Sequence, residues 1–246
     1  MKSVTIIGAG FAGLSAACCL AKEGFQVTVI EKNEQAGGRA SVFEEQGFVF
    51  DMGPSWYWMP DVFEHFFSLF GKKIEDYYEL IRLDPSYRIY WKEDEFTDIP
   101  ASADELGLLF ESWEPGAFHK FKRFLSDSKL KYEKGMNDLV YKPSLSLFEF
   151  ADASLIPSLV ALQLFSSLKN EVRKIFKDSR IQRILEFPVY FLGALPENTP
   201  ALYSLMNYAD LVLGTWYPKG GMSMIPVAMK NLATELGVTF KFNTPL

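Results

Sequence analysis

The apolar pattern changes period early in the chain. Val4-Thr5-Ile6-Ile7 is a β-leaning run that feeds Gly8-Ala9-Gly10-Phe11-Ala12-Gly13, after which Leu14, Ala17, Cys18 and Leu20 recur at helical spacing. A second run, Val27-Thr28-Val29-Ile30, ends on Glu31. The pattern predicts a strand, a glycine turn, a helix, a strand and an acid. Downstream, residues 41–45 and 48–51 read as a hairpin around Gln46-Gly47, and residues 61–70 as a helix with Val62, Phe63, Phe66, Phe67 and Phe70 on one face. Residues 87–91 and 95–99 alternate as a second hairpin, and residues 102–113 and 115–141 read as helices. Residues 145–150 and 155–165 are apolar, and helices within 167–187 are expected to stop at Pro188. A strand, the pair Gly220-Gly221, a helix over 223–236 and a strand over 238–242 follow.

The opening pattern is what a dinucleotide site requires. Gly8 permits the tight turn, Gly10 lets backbone approach a pyrophosphate, and Gly13 allows the helix to pack on the sheet. The helix start offers N–H groups and partial positive charge to phosphates. Glu31, about 20 residues beyond the turn, can accept ribose hydroxyls and would repel a 2′-phosphate, which disfavours NADP. Glycines and acid leave NAD and FAD both open. Gln35-Ala36-Gly37-Gly38-Arg39 adds a second glycine pair and a cation where the same pyrophosphate can meet them.

Composition narrows the partners. A net charge of −6 argues against nucleic acid, and 22 Phe with 15% aromatic residues is more than an ordinary core needs, so an apolar ligand or a bilayer surface enters consideration. The only cysteines, Cys18 and Cys19, are helix neighbours that cannot bridge and are expected to be two buried thiols. With no signal-peptide layout, a cytoplasmic protein is expected. His65 and His119 read as surface histidines, and no metal is expected. The basic stretch Lys120, Lys122, Arg123, Lys129, Lys131 and Lys134 reads first as a solvated helix face, with anionic lipid as the alternative. The apolar residues 155–165 are too few for a span and suit a buried or interfacial helix. Asp178, Arg183 and Glu186 read as ion-pairing neighbours rather than catalysts, and no catalytic residue is chosen.

The run from Ile7 to Arg39 resembles the extended FAD-binding signature of the amine oxidase and carotenoid desaturase superfamily. Phe48 to Pro60, with Asp51-Met52-Gly53-Pro54-Ser55 and Trp56-Tyr57-Trp58-Met59, resembles the segment beneath the flavin in bacterial phytoene desaturases; alternatively the aromatics plug a core. The resemblance implies an α/β protein: a Rossmann-like FAD-binding domain (1–82 and 214–246) with an inserted, partly helical α+β substrate and membrane domain (83–213). It implies a cofactor set of Gly8, Ala9, Gly10, Phe11, Ala12, Gly13, Glu31, Lys32, Gly37, Gly38, Arg39, Gly53, Pro54, Ser55, Gly220, Gly221 and Leu246. At Gly220 and Gly221 a plain strand-to-helix turn stands equally open.

Family members continue for about as long again beyond the position of Leu246, so the resemblance also implies a truncated architecture. The activity implied is FAD-dependent desaturation of a long acyclic polyene such as phytoene, at a membrane surface reached by monotopic attachment. Polyene isomerisation or saturation is the second enzyme reading. A non-catalytic prenyl-binding module on the same scaffold is the reading of another class.

Overall fold

The computed structural model describes residues 2–140 and 166–245. Contacts divide the chain into two units, Met1–Leu83 with Thr215–Leu246, and Asp84–Gly214. The first begins with β1 (Ser3–Ile7), α1 (Phe11–Lys22), β2 (Gln26–Ile30), β3 (Val42–Glu45), β4 (Phe48–Asp51), α2 (Pro60–Ser68) and β5 (Leu80–Arg82). The second comprises β6 (Tyr87–Lys92), β7 (Glu95–Ile99), α3 (Ala103–Trp113), α4 (Ala117–Lys134), α5 (Leu168–Ile175), α6 (Ser179–Glu186) and α7 (Leu205–Tyr208). The chain then returns to the first unit with β8 (Trp216–Pro218), α8 (Met224–Glu235) and β9 (Thr239–Lys241).

In the first unit β2 lies between β1 and β9, and all three strands are parallel. Val27 and Val29, on one face of the middle strand, are buried, while Thr28 and Ile30 on the other face are half-buried. Helix α1 buries Leu14, Ala17 and Cys18, the i, i+3, i+4 face that the sequence shows, and packs against α8. It ends in a Schellman arrangement: Phe25 N–H donates to Leu20 O at 3.1 Å, and Gly24 N–H to Ala21 O at 3.0 Å. Gly24 holds the left-handed φ of +83° that this ending needs.

Cys18 donates to Met229 O, and burial pushes its thiol up to about 12. Cys19 is exposed, which corrects the expectation of two buried thiols. The physical reason is the roughly 100° turn between helix neighbours, which sends one side chain inward and the next to solvent.

The second unit is built on aromatic packing between helices. Phe110, Phe121 and Phe176 are fully buried, with Phe110 edge-on to Phe121 at 4.9 Å between ring centres and to Phe176 at 6.4 Å. Glu114, just past α3, accepts Lys120 Nζ at 2.6 Å and the backbone N–H groups of Lys177 and Asp178 at 2.7 and 2.9 Å, so one carboxylate ties α3 and α4 to the start of α6. Those bonds overcome the effect of burial and hold its pKa below the usual carboxylate value.

Several sequence expectations need correction here. Lys131 does not join a solvated basic face: it is buried, and its ammonium donates to Ala201 O and Ser204 Oγ at 3.1 and 3.0 Å. Burial lowers its pKa. Other cations of that stretch are neutralised locally, Lys120 by Glu114 and Lys122 by Asp104. Asp178 and Glu186 do form ion pairs, but with Arg180 and Arg173, while Arg183 is exposed. The α-helix ends at Glu186, just before Pro188 as expected, and a tighter 3₁₀ segment then runs over Phe187–Leu192, with the proline in its first turn. His65 and His119 are exposed. The apolar residues 145–165, on which the interfacial-helix expectation rests, lie outside the described residues, as does Leu246. Among the described residues no helix is long and apolar enough to cross a membrane.

Phe110→Ala is expected to lower the stability of the second unit by about 3–5 kcal/mol through lost burial and a cavity between rings, read as an earlier urea midpoint.

Candidate functional site

The three glycines between β1 and α1 have three different reasons to be glycine. Gly8 has φ +96°, a conformation that side chains rarely adopt. At Gly13 a methyl group would lie 2.0 Å from the Gly8 carbonyl oxygen, so helix and turn touch through bare backbone. Gly10 has neither constraint: its φ is −79°, and a methyl group there would meet nothing within 4 Å. Its surroundings leave space in front of the helix start, where Gly10 is the N-cap and supplies no side-chain oxygen to the first N–H groups. This open position at an uncapped helix start is what a phosphate requires. The residues present therefore fit a nucleotide pyrophosphate.

The second glycine pair closes on the first. Gly37 N–H donates to Ala9 O at 2.8 Å, and a methyl group on Gly38 would press on Gly10 Cα at 3.3 Å. Gly37 and Gly38 have φ +126° and +58°. Gln35 secures the exit from this loop, donating from Nε2 to Val42 O at 2.9 Å and accepting Val42 N–H at 3.2 Å. The sequence suggested two cradles for one ligand; the structure brings them into backbone contact. Ala9 is buried, whereas Lys32, Gly38 and Arg39 are exposed.

Glu31 is held by the turn it faces. Its carboxylate accepts Ala9 N–H at 2.7 Å and Asn33 N–H at 2.9 Å, and it is only 5% exposed. Burial acts to raise its pKa, but the N–H groups of Ala9 and Asn33 outweigh it and hold the carboxyl below its usual range. A carboxylate has about four acceptor sites, so one on each oxygen remains for ribose hydroxyls. β9 adds a third side to this corner, with Glu31 N–H donating to Lys241 O and Thr244 N–H to Glu31 O.

Gly53, Pro54 and Ser55 are exposed, and Gly53 is fixed by contact: a methyl group on it would lie 1.9 Å from the Arg39 carbonyl oxygen. The aromatic run beyond divides its roles. Tyr57 is a core residue, 1% exposed, packed on Phe63 at 4.9 Å with its hydroxyl 3.0 Å from that of Tyr78. Trp56 and Trp58 stack on each other at 5.9 Å and are partly exposed, with Trp58 Nε1 donating to Thr215 Oγ1 at 2.8 Å. The core-plug alternative thus holds at Tyr57, because alternate side chains point to opposite sides of an extended segment.

Gly220 and Gly221, with φ +99° and +107°, form the turn into α8. Asp51, part of the quoted run but without a role assigned from sequence, accepts Tyr217 Oη–H at 2.6 Å and the N–H groups of Met222 and Ser223 at 3.0 and 3.3 Å. An acid ending a strand gives no sequence signal of a bond to residues so far along the chain. Among the described residues no group of three His, Cys, Asp or Glu side chains converges for a metal.

Gly53→Ala is expected to cost about 1–3 kcal/mol, because main chain must shift to admit the methyl group. Gly10→Ala should stay within about 1 kcal/mol of the parent, as only helix-cap preference changes. Urea unfolding of ligand-free protein compares the two. Glu31 has a depressed folded-state pKa, so its contribution is present at neutral pH and is lost as pH falls below the usual carboxylate value of about 4.3 and through the folded value. Glu31→Gln should therefore lose about 2 kcal/mol at pH near 7 and show a shallower acid decline, measured by unfolding between about pH 3 and 7.

Comparison with known proteins bears on which nucleotide. The chain is 46% identical over 241 residues to the carotenoid 3,4-desaturase of Haloarcula japonica, covering 98% of this chain and 49% of that protein. It is 33% identical over 245 residues to the zeta-carotene-forming phytoene desaturase of Myxococcus xanthus, covering 100% of this chain and 47% of the relative. The chain thus spans about half the length of the curated relatives it matches. Among solved structures, wild-type putrescine oxidase bound to putrescine shares the fold at 20% identity and a TM-score of 0.59, covering 99% of this chain and 51% of the other. Residues 11–246 match the model of the flavin containing amine oxidoreductases. Glycine cradle, acid and family model agree, and the chain belongs to the flavin containing amine oxidoreductase family.

Proposed function

We propose that this chain forms the nucleotide-binding part of an FAD-dependent desaturase acting on a long apolar polyene of the carotenoid-precursor class. The observation that carries the cofactor is Gly10: an N-cap glycine with no steric reason of its own, facing open space at an uncapped helix start. The substrate class is supported by the relatives, which are named as carotenoid and phytoene desaturases.

When bound, the flavin supplies the hydride acceptor for converting a carbon–carbon single bond to a double bond. The chain's own residues bind and orient. N–H groups at the start of α1 and the exposed Gly38 backbone would hold the pyrophosphate, with the exposed Arg39 next in the chain to supply a cation, while Gly37 is buried and keeps the second loop on the first through its bond to Ala9 O. Glu31 holds the ribose end and disfavours a 2′-phosphate. Lys32, Gly53, Pro54, Ser55, Gly220 and Gly221 complete the proposed set.

Peripheral contact with a bilayer belongs to the same proposal, in a cytoplasmic setting. Its support among the described residues is Tyr190, Phe191, Leu192 and Leu195, each 47–51% exposed in a stretch without charge.

The test uses the protein at its full natural length, purified, with FAD and an acyclic polyene such as phytoene. A yellow protein that lengthens the absorbing chromophore and removes a pair of hydrogens per new double bond is the expected outcome. Gly10→Val should fold normally and be colourless, since its side chain takes the phosphate's place. Rearranged polyene of unchanged mass would make the protein an isomerase, and polyene retained by flavin-free wild-type protein would make it a binding module.

A further inference from the structure

Asp51 lies outside the nucleotide cradle, yet its hydrogen bonds reach the helix that backs it. Helix α8 has no side-chain cap of its own at Ser223. The Asp51 carboxylate instead ties down the two residues that lead into the helix, accepting Met222 N–H at 3.0 Å and Ser223 N–H at 3.3 Å. An anion there also meets the positive end of the helix. Tyr217 completes the arrangement by donating to the same carboxylate at 2.6 Å, a bond that pushes the phenol up to about 12 and keeps it a donor across the physiological range.

The contacts run in a closed circuit. From Asp51 the chain passes to Gly53, whose α-carbon sits against the Arg39 carbonyl, and Arg39 follows Gly38, which rests on Gly10. In the other direction Asp51 holds Met222 and Ser223, and one turn along α8 Pro226 lies against Gly37, where a methyl group would come within 3.2 Å of its Cγ. Both arms reach the Gly37-Gly38 loop. Gly37 itself donates to Ala9 O, the carbonyl beside the open Gly10 position.

We propose that Asp51 is a positioning residue for the flavin nucleotide: by fixing the entry to α8 it holds Pro226 against Gly37 and so keeps the second glycine pair seated on Gly10. The role rests on the flavin reading for its ligand and on contacts within the chain for its mechanism.

The experiment measures amide hydrogen exchange in the ligand-free protein and FAD affinity by fluorescence, for Asp51→Asn, Asp51→Ala and Tyr217→Phe. Loss of these bonds should speed exchange at Met222 and Ser223 by about tenfold. The deciding site is Gly37, remote from the carboxylate, where a similar acceleration is expected together with roughly tenfold weaker FAD binding. Gly8 N–H, which donates to Ile30 O, should not change. Fast exchange confined to Met222 and Ser223, with Gly37 and FAD affinity as in the parent, would make Asp51 a local tie only and overturn the proposal. If the Asp51 variants fail to fold, Tyr217→Phe decides, since it removes one bond of the set: a two- to threefold effect at Gly37 supports positioning, and none overturns it. A parent protein that does not bind FAD would overturn the flavin reading, while exchange at Gly37 still decides the coupling.

Discussion

Main chain lying against main chain is the contact on which the nucleotide-binding unit depends. Helix α1 meets its own turn through Gly13 and the Gly8 carbonyl, the second loop meets the first through Gly38 and Gly10, and the segment after β4 meets the second loop through Gly53 and the Arg39 carbonyl. Dispersion contacts of this kind are individually weak and fall off within an ångström, so they tolerate no spacer. They also bring polar N–H and C=O groups close together, away from side chains that would otherwise satisfy them. A surface made in this way is smooth, uncharged and rich in donors, the character of a phosphate cradle.

Such a surface needs anchoring from outside, and in this unit acids provide it. Glu31 takes the N–H groups of Ala9 and Asn33, and Asp51 those of Met222 and Ser223. Both are strand-end carboxylates that accept from backbone, charge-assisted bonds that are stronger than neutral ones. Glu114 repeats the device in the second unit with Lys177 and Asp178. The chain's excess of acid is therefore partly architectural.

Local periodicity made much of this legible beforehand. The β–turn–α–β run, the parallel first strands and the two hairpins follow from patterns within a few residues, and the structure has them. What the sequence hid were contacts between distant positions. The glycines look alike as letters, but only geometry separates Gly13, crowded by Gly8, from Gly10, which faces open space. Lys131 sits in a run of cations and is buried by groups some seventy residues away, Ala201 and Ser204. Glu186 pairs with Arg173 on the preceding helix rather than with its neighbour Arg183, because α5 and α6 pack side by side. Tyr57 reads like its tryptophan neighbours until pleating sends it into the core.

The unlike fates of Cys18 and Cys19 have a practical side. One thiol is buried with its pKa pushed up, and the other faces solvent one residue on, so an alkylating fluorophore at neutral pH would attach at a single place without any change to the sequence. Cys19 lies eight residues along α1 from Phe11, which at helical rise is about 12 Å from the glycine turn. At that range a dye on Cys19 lies close to the nucleotide cradle, and the native helix becomes a fixed arm from which to report ligand arrival there.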